Sequence, residues 1–325
     1  MRFKINKSFR FQEHGTDIIA LHPGGYRATI SKEDMSLIKA FDPPIELAEV
    51  RIATDKPKHI LQSHIGQLQD FALLIPDDDM PAPWPLPIDL LIEQDSTFRE
   101  ILRNVRGYTM GTPELCYALF QAVNHIHSER IEGAIVESGV WRGGNIALCA
   151  LALLAHHDTS RELYMFDTFD WSWPDLSAFD TKFGSGTAAE RNEALKKRRS
   201  APREKLDADL VSEERVGEYL ISTGYPSQRF IKVKGLVQDT IPGSAPEKIA
   251  LLRLDTDLYE STYHELVHLY PRLVPGGILI IDDYPTENGC VKAVVEYFSK
   301  TVPRPLLSRI HTQGRIAIKP ASPLN

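Results

Sequence analysis

Five short apolar runs punctuate the second half of the chain, at residues 133–136, 163–166, 230–233, 250–254 and 278–281. Runs of this length bounded by polar turns predict strands buried on both faces of a sheet. Helical spacing fills the intervals. Thr112-Pro113-Glu114 opens a helix on which Leu115, Leu119, Ala122, Val123 and Ile126 share one face. Apolar residues 145–155, residues 212–222 closed by Gly224, a helical pattern before Pro275-Gly276-Gly277, and residues 289–298 supply the others. Two further strands, around 306–310 and 315–318, read as an antiparallel pair. Strand alternating with helix five times predicts an α/β, doubly wound, Rossmann-like sheet with a C-terminal antiparallel strand pair.

Upstream the pattern changes. Alternation at 3–11 and 27–30 suggests short strands, and Ser31 followed by Asp34 suggests a helix start. Residues 76–87 pack five prolines and three acids into twelve positions and read as a linker or extended arm. The expected organisation is an N-terminal extension over 1–87 and a main domain over 88–325, with a polar insertion at about 168–210.

The apolar runs end at acids. The run at 250–254 stops at Asp255 and Asp257, and the run at 278–281 stops at Asp282 and Asp283. Functional groups of such sheets gather at the carboxyl ends of the strands, so four carboxylates converge on one rim. Uncompensated they repel; a hard divalent cation, Mg²⁺ or Mn²⁺, is the natural remedy. The plainer reading is that one or two of them cap the following helix. The first run leads into Glu137-Ser-Gly-Val-Trp-Arg-Gly-Gly144, a strand-to-helix turn without the G-x-G-x-x-G spacing of dinucleotide sites. A tight structural turn explains it as well. Asp167, ending the next run, can accept hydrogen bonds from ribose hydroxyls, and Glu137 can hold an ammonium group. A nucleoside with a cationic tail such as S-adenosylmethionine fits that pair better than NAD.

Composition narrows the partners. With 325 residues, 42% hydrophobic and 25% charged, the chain has the make-up of a globular enzyme, and a net charge of −7 gives no nucleic-acid footprint. No run approaches the roughly 20 apolar residues of a membrane span, no secretion signal is visible, and a cytoplasmic location is expected. Cys116, Cys149 and Cys290 form no CxxC. His264-Glu265-Leu266-Val267-His268 matches the zinc-protease pattern H-E-x-x-H. However, at about 100° per residue Tyr263, Leu266, Val267, Leu269, Tyr270 and Leu273 form the apolar face and both histidines point away from it. The motif therefore reads as an outer helix surface. Lys196–Arg199 with Arg203 and Lys205 reads as a solvated charge run.

The segments VESGVWRGG, MFDTFDW, VKGLVQDTIP, LLRLDTDLYEST and YPRLVPGGILIIDDY, in that order, resemble the macrocin O-methyltransferase (TylF/MycF-type) family over about residues 102–319. The resemblance implies a class I S-adenosylmethionine-dependent methyltransferase fold and a Mg²⁺-dependent enzyme methylating sugar hydroxyls of natural products. It implies that Asp255, Asp282 and Asp283 bind the metal and that Asp257 is the general base. It places Glu137 and Gly139 at the cofactor's amino-acid end, Asp167 at its ribose, Asp239 near its adenine, and Thr109 and Met110 in a covering arm. Trp141, Gly143, Thr168 and Gln238, beside these, complete the candidate cofactor set. The acceptor is expected to be a small glycosylated molecule and the protein a homo-oligomer. The first 90 or so residues have no counterpart in the family, and FDWSWPD departs from its usual sequence where the substrate lid is expected. A metal-dependent hydrolase and a non-catalytic nucleotide-binding protein stand as alternatives; an NAD-dependent oxidoreductase is disfavoured by the absent fingerprint.

Overall fold

Parallel pairing of the five apolar runs builds the centre of a seven-stranded sheet. In a computed structural model, residues 95–325 are described apart from 171–173, 182–186, 188, 194–209, 285–286, 311–313 and 322–325; before residue 95 the description covers six strands, one helix and Ile92. The chain divides into two compact units, Met1–Gln94 and Asp95–Asn325. The first holds two three-stranded antiparallel sheets. One joins β1 (Arg2–Ile5) to β5 (Ile45–Glu46) and β6 (Leu74–Pro76); the other joins β2 (Arg10–His14), β3 (Asp17–Leu21) and β4 (Arg27–Ser31). Helix α1 (Lys32–Lys39) follows β4 and buries Leu37 and Ile38. Of the proline-rich stretch only Pro76 is described, as the end of β6.

In the second unit α2 (Ser96–Val105) is capped by Asp95, whose side chain accepts from Phe98 N–H, and α3 (Pro113–Ser128) by Thr112. All five residues expected on the inner face of α3 are buried. Strand β7 (Ala134–Ser138) leads through Gly143 to α4 (Gly144–Ala155), and β8 (Leu163–Asp167) leads into the polar insertion. Helix α5 (Glu213–Ser222), β9 (Phe230–Lys234), a short α6 (Val237–Thr240) and β10 (Ile249–Leu254) follow. Then come α7 (Tyr259–His268), β11 (Leu273–Ile281), α8 (Asn288–Ser299), β12 (Ser308–Arg309) and β13 (Arg315–Ile318).

The sheet order is β12-β13-β11-β10-β7-β8-β9. Strands β7 to β11 are mutually parallel, and β13 closes the β11 side antiparallel. The chain runs outward from β7 to β8 and β9, then returns to lay β10 on the other side of β7. That reversal makes the crevice between β7 and β10 the topological switch point, where open α/β sheets bind ligands.

Three details correct the sequence reading. Strand β11 starts at Leu273 and runs through Pro275-Gly276-Gly277; a register shift between Ile249 and Leu251 of β10 accommodates it. Helix α7 ends at His268, and a short turn at Tyr270–Arg272 follows. Its buried residues are Ser261, Thr262, Glu265 and Leu266, whereas Val267 is exposed. His264 is half-buried, with Nε2 2.9 Å from the Ile241 carbonyl oxygen, so it does not face outward. The Lys196–Arg199, Arg203 and Lys205 run lies outside the described residues.

Candidate functional site

Neighbouring strands fix the acids. Leu254 pairs with Ile281 on one side and Ser138 on the other, so the chains emerge side by side at Asp255, Asp282 and Gly139. Backbone bonds continue the ladders past the strand ends. Asp255 N–H donates to Ser138 O at 2.9 Å, Asp282 N–H to Leu254 O at 2.9 Å, and Gly139 N–H to Phe166 O at 2.9 Å. The first two loops touch: a Cβ on Gly139, whose φ is +81°, would lie 2.0 Å from the Asp255 carbonyl oxygen. Only glycine fits that crossing.

Asp255, Asp282 and Asp283 each bring a carboxylate oxygen within 4.8 Å of the other two. Asp257 stands beside them, hydrogen-bonded to Asp283. Burial holds the carboxyls of Asp255, Asp257 and Asp282 above the usual carboxylate range, and their negative neighbours raise them further. An all-oxygen donor set of clustered carboxylates fits a hard cation of the Mg²⁺ or Mn²⁺ kind.

A guanidinium already lies among these acids, at a position that the apolar pattern of 250–254 conceals. Arg253 is 5% exposed within β10. Its Nη1 donates to Glu137 at 2.6 Å and to Asp255 at 2.8 Å, and its Nη2 to Asp282. The guanidinium thus neutralises part of the cluster. Burial alone would pull its pKa down; the three carboxylates reverse that and hold it well above its usual value. A charged residue inside a buried strand, immediately before two acids, was the available signal.

Glu137 links this cluster to the loop after β7. Its Oε1 accepts from Arg253 and from Asn145 Nδ2 at 3.1 Å, and Asn145 Oδ1 accepts from the Thr109 hydroxyl at 2.9 Å. Glu137 Oε2 is buried without a hydrogen-bond partner among the described residues. Burial, opposed by Arg253 and Asn145, pushes Glu137 up to about 7. A buried acceptor lacking a donor fits an ammonium group. Asp167 accepts at Oδ2 from Val140 N–H (2.6 Å) and Trp141 N–H (3.1 Å), and at Oδ1 from Phe169 N–H (2.8 Å). It therefore shapes the loop. Trp141, Phe169 and Asp257 all adopt left-handed backbone, with φ of 49°, 49° and 64°. Such strain in non-glycine residues clusters at functional sites.

The remaining candidates lie around this centre. Thr109 is tied to Asn145, and Gly144 N–H donates to Tyr108 O at 2.9 Å, which lays the arm over the start of α4. Tyr108 stacks on Tyr219 of α5 at 3.5 Å, and Met110 is 76% exposed. Gly143 is the left-handed cap of α4. Thr168 bonds the Asp170 carbonyl. Gln238 and Asp239 sit on α6; the Gln238 Oε1 is buried without a partner among the described residues, and Asp239 is exposed. The insertion after β8 is clasped to the rim. Asp180 accepts from Tyr259 N–H at 2.7 Å, and Arg191 pairs with Glu287 at 3.1 Å. Neither contact has a signature in the spacing of the sequence.

Similarity to known proteins follows the same residues. The model of the macrocin-O-methyltransferase (TylF) family matches residues 103–314. Demethyldecarbamoylnovobiocin O-methyltransferase of Streptomyces niveus is 33% identical over 64% of this chain and 76% of its own length. A tetracenomycin-series 4'-O-methyltransferase of Streptomyces olivaceus, named for its dimethoxy-rhamnosyl substrate, is 35% identical over 54% of this chain and 61% of its own. The solved O-methyltransferase NovP superimposes with a TM-score of 0.56 at 30% identity, covering 66% of this chain and 83% of that one. These matches give the hydrolase alternative no support.

Proposed function

The chain belongs to the macrocin-O-methyltransferase (TylF) family and is an S-adenosylmethionine-dependent O-methyltransferase; from that premise we propose that it methylates a hydroxyl of a sugar or other vicinal diol on a natural product, assisted by Mg²⁺ or Mn²⁺. The observation that carries this reading is the meeting, at one switch point, of Glu137 with its unpartnered oxygen and the Asp255–Asp282–Asp283 cluster. Of the two relatives described above, one is named as an O-methyltransferase of demethyldecarbamoylnovobiocin and the other as a 4'-O-methyltransferase of a dimethoxy-rhamnosyl tetracenomycin, which supports a natural-product acceptor.

In this reading Glu137 Oε2 accepts from the donor's ammonium group, and Gly139, Trp141 and Gly143 shape the loop beneath it. Asp167 holds that loop and offers its remaining lone pairs to the ribose hydroxyls. Thr168, Gln238 and Asp239 border the nucleoside, and Thr109 and Met110 cover it. Asp255, Asp282 and Asp283 would hold the cation, which when bound would supply Lewis acidity that eases deprotonation of an acceptor hydroxyl. Asp257 takes the proton of that hydroxyl. The acceptor oxygen gains a bond to the methyl carbon as the carbon–sulfur bond breaks, leaving the thioether by-product. The burial around Asp257 makes it a stronger base than an exposed aspartate. Self-association, as a dimer or larger, belongs to the same proposal and is read by sizing.

Calorimetric titration of S-adenosylmethionine with and without Mg²⁺, followed by mass spectrometry of glycosylated acceptors, tests the reading. Asp282→Ala should abolish transfer and leave donor binding largely intact; near wild-type turnover in that variant would remove the cation assignment. Asp257→Asn should slow turnover by about 10²–10⁴-fold while Mn²⁺ still binds. Full turnover there would rule out Asp257 as the base.

A further inference from the structure

We propose that Glu265 is a positioning residue that holds the two loops of the reaction site together from beneath the rim. The proposal deepens the reading above, since it takes Asp255 as a cation ligand and Asp257 as the base. Glu265 lies on α7 and is fully buried. Its Oε2 accepts from the Thr256 hydroxyl at 3.0 Å; its Oε1 and the Ser138 hydroxyl, its other polar neighbour, are both buried without a hydrogen bond of normal geometry among the described residues. Thr256 stands between Asp255 and Asp257. Ser138 ends β7, directly before Gly139. These are the two loops that touch where Asp255 N–H meets Ser138 O and the Asp255 carbonyl faces Gly139. One carboxyl therefore reaches both loops at their crossing.

The loop after β10 needs such a hold. Asp257 is left-handed at φ 64°, a conformation that residues bearing a Cβ seldom adopt. Within the turn, Leu258 N–H donates to Thr256 O at 2.7 Å, and the Thr256 side chain is fixed by Glu265. No salt bridge involves Glu265 among the described residues, so the Thr256 hydrogen bond rather than ion pairing holds it. Burial pushes it up to about 8, against the Thr256 and Ser138 hydroxyls. A carboxyl that keeps its proton at neutral pH can donate as well as accept. The glutamate of the His264–His268 motif thus serves the methyl-transfer site from the inward side of its helix.

The test uses the full chain, with Glu265→Leu, Glu265→Gln and Thr256→Val. Two probes are read: titration with Mn²⁺ alone, followed by electron paramagnetic resonance, and amide hydrogen exchange over residues 255–258 without metal. Glu265→Leu should weaken Mn²⁺ binding by about 10- to 100-fold and speed exchange in that segment. Exchange in β7 and β10 should stay slow. Glu265→Gln, whose amide accepts and donates, should restore both readings. Thr256→Val removes the same hydrogen bond from the other side and should loosen the same segment, which keeps the test decisive if the leucine variant fails to fold. Wild-type exchange at 255–258 in either Glu265→Leu or Thr256→Val overturns the proposal. A wild-type chain that binds no Mn²⁺ sinks the cation reading instead, and the exchange comparison still decides the role of Glu265.

Discussion

Arg253 occupies the middle of a carboxylate cluster from within a strand whose other residues are apolar, and it bonds Glu137, Asp255 and Asp282 at once. Removing one partner of a buried ion pair leaves uncompensated charge, which costs about 3–5 kcal/mol. Arg253→Met should lose stability of that order in urea unfolding, and added Mg²⁺ or Mn²⁺ should recover part of it by binding the freed carboxylates. The loss should be smaller at low pH, where those carboxyls are protonated. Unfolding that is unchanged at neutral pH would show that the guanidinium is dispensable to the cluster.

At the scale of elements, α7 shows how a helix is placed by contacts its own sequence does not announce. Its first N–H, at Tyr259, donates to Asp180 of the insertion, which also accepts from the N–H and the hydroxyl of Ser177. Asp180→Ala should cost about 0.5–2 kcal/mol, the usual range for a lost cap, measured by thermal unfolding. The apolar runs and glycine turns made the strands of the main sheet legible, because burial on both faces leaves little other pattern for such a sequence. The acids at the ends of β10 and β11 were legible for the same reason: strand ends and their polar successors coincide. What escaped was the inside of the pattern. Arg253 was absorbed into an apolar run, and the inner face of α7 was drawn from large apolar side chains. The helix instead stops at His268; Leu269, Tyr270 and Leu273 are buried from the turn and strand beyond it, and the buried face of the helix itself includes Glu265. A charged residue defaults to the outside in any periodicity argument; only tertiary contacts, here with Thr256 and Ser138, reverse that.

For the molecule as a whole, buried carboxyls tie stability to pH. Glu137 and Glu265 rise from 4.5 to about 7 and about 8 on folding. Between the unfolded and folded values the native state binds more protons than the unfolded state, so stability falls as pH rises through those windows. The contribution is complete below about 4.5 and is lost as pH passes about 7 for Glu137 and about 8 for Glu265. Thermal midpoints of the metal-free protein should therefore decline between these limits, and Glu265→Gln should flatten the upper part of the decline. A slope identical to wild type would show that Glu265 does not titrate in this range. The crossing at Gly139 has a different kind of consequence. A backbone that leaves no room for one methyl group leaves no neutral path for drift, whereas Gly107, with open space around its α-carbon, tolerates substitution. In a complete single-substitution library selected for folded, donor-binding protein, position 139 should return glycine alone while position 107 returns many residues. Variation would then accumulate around the reaction centre and leave that crossing fixed.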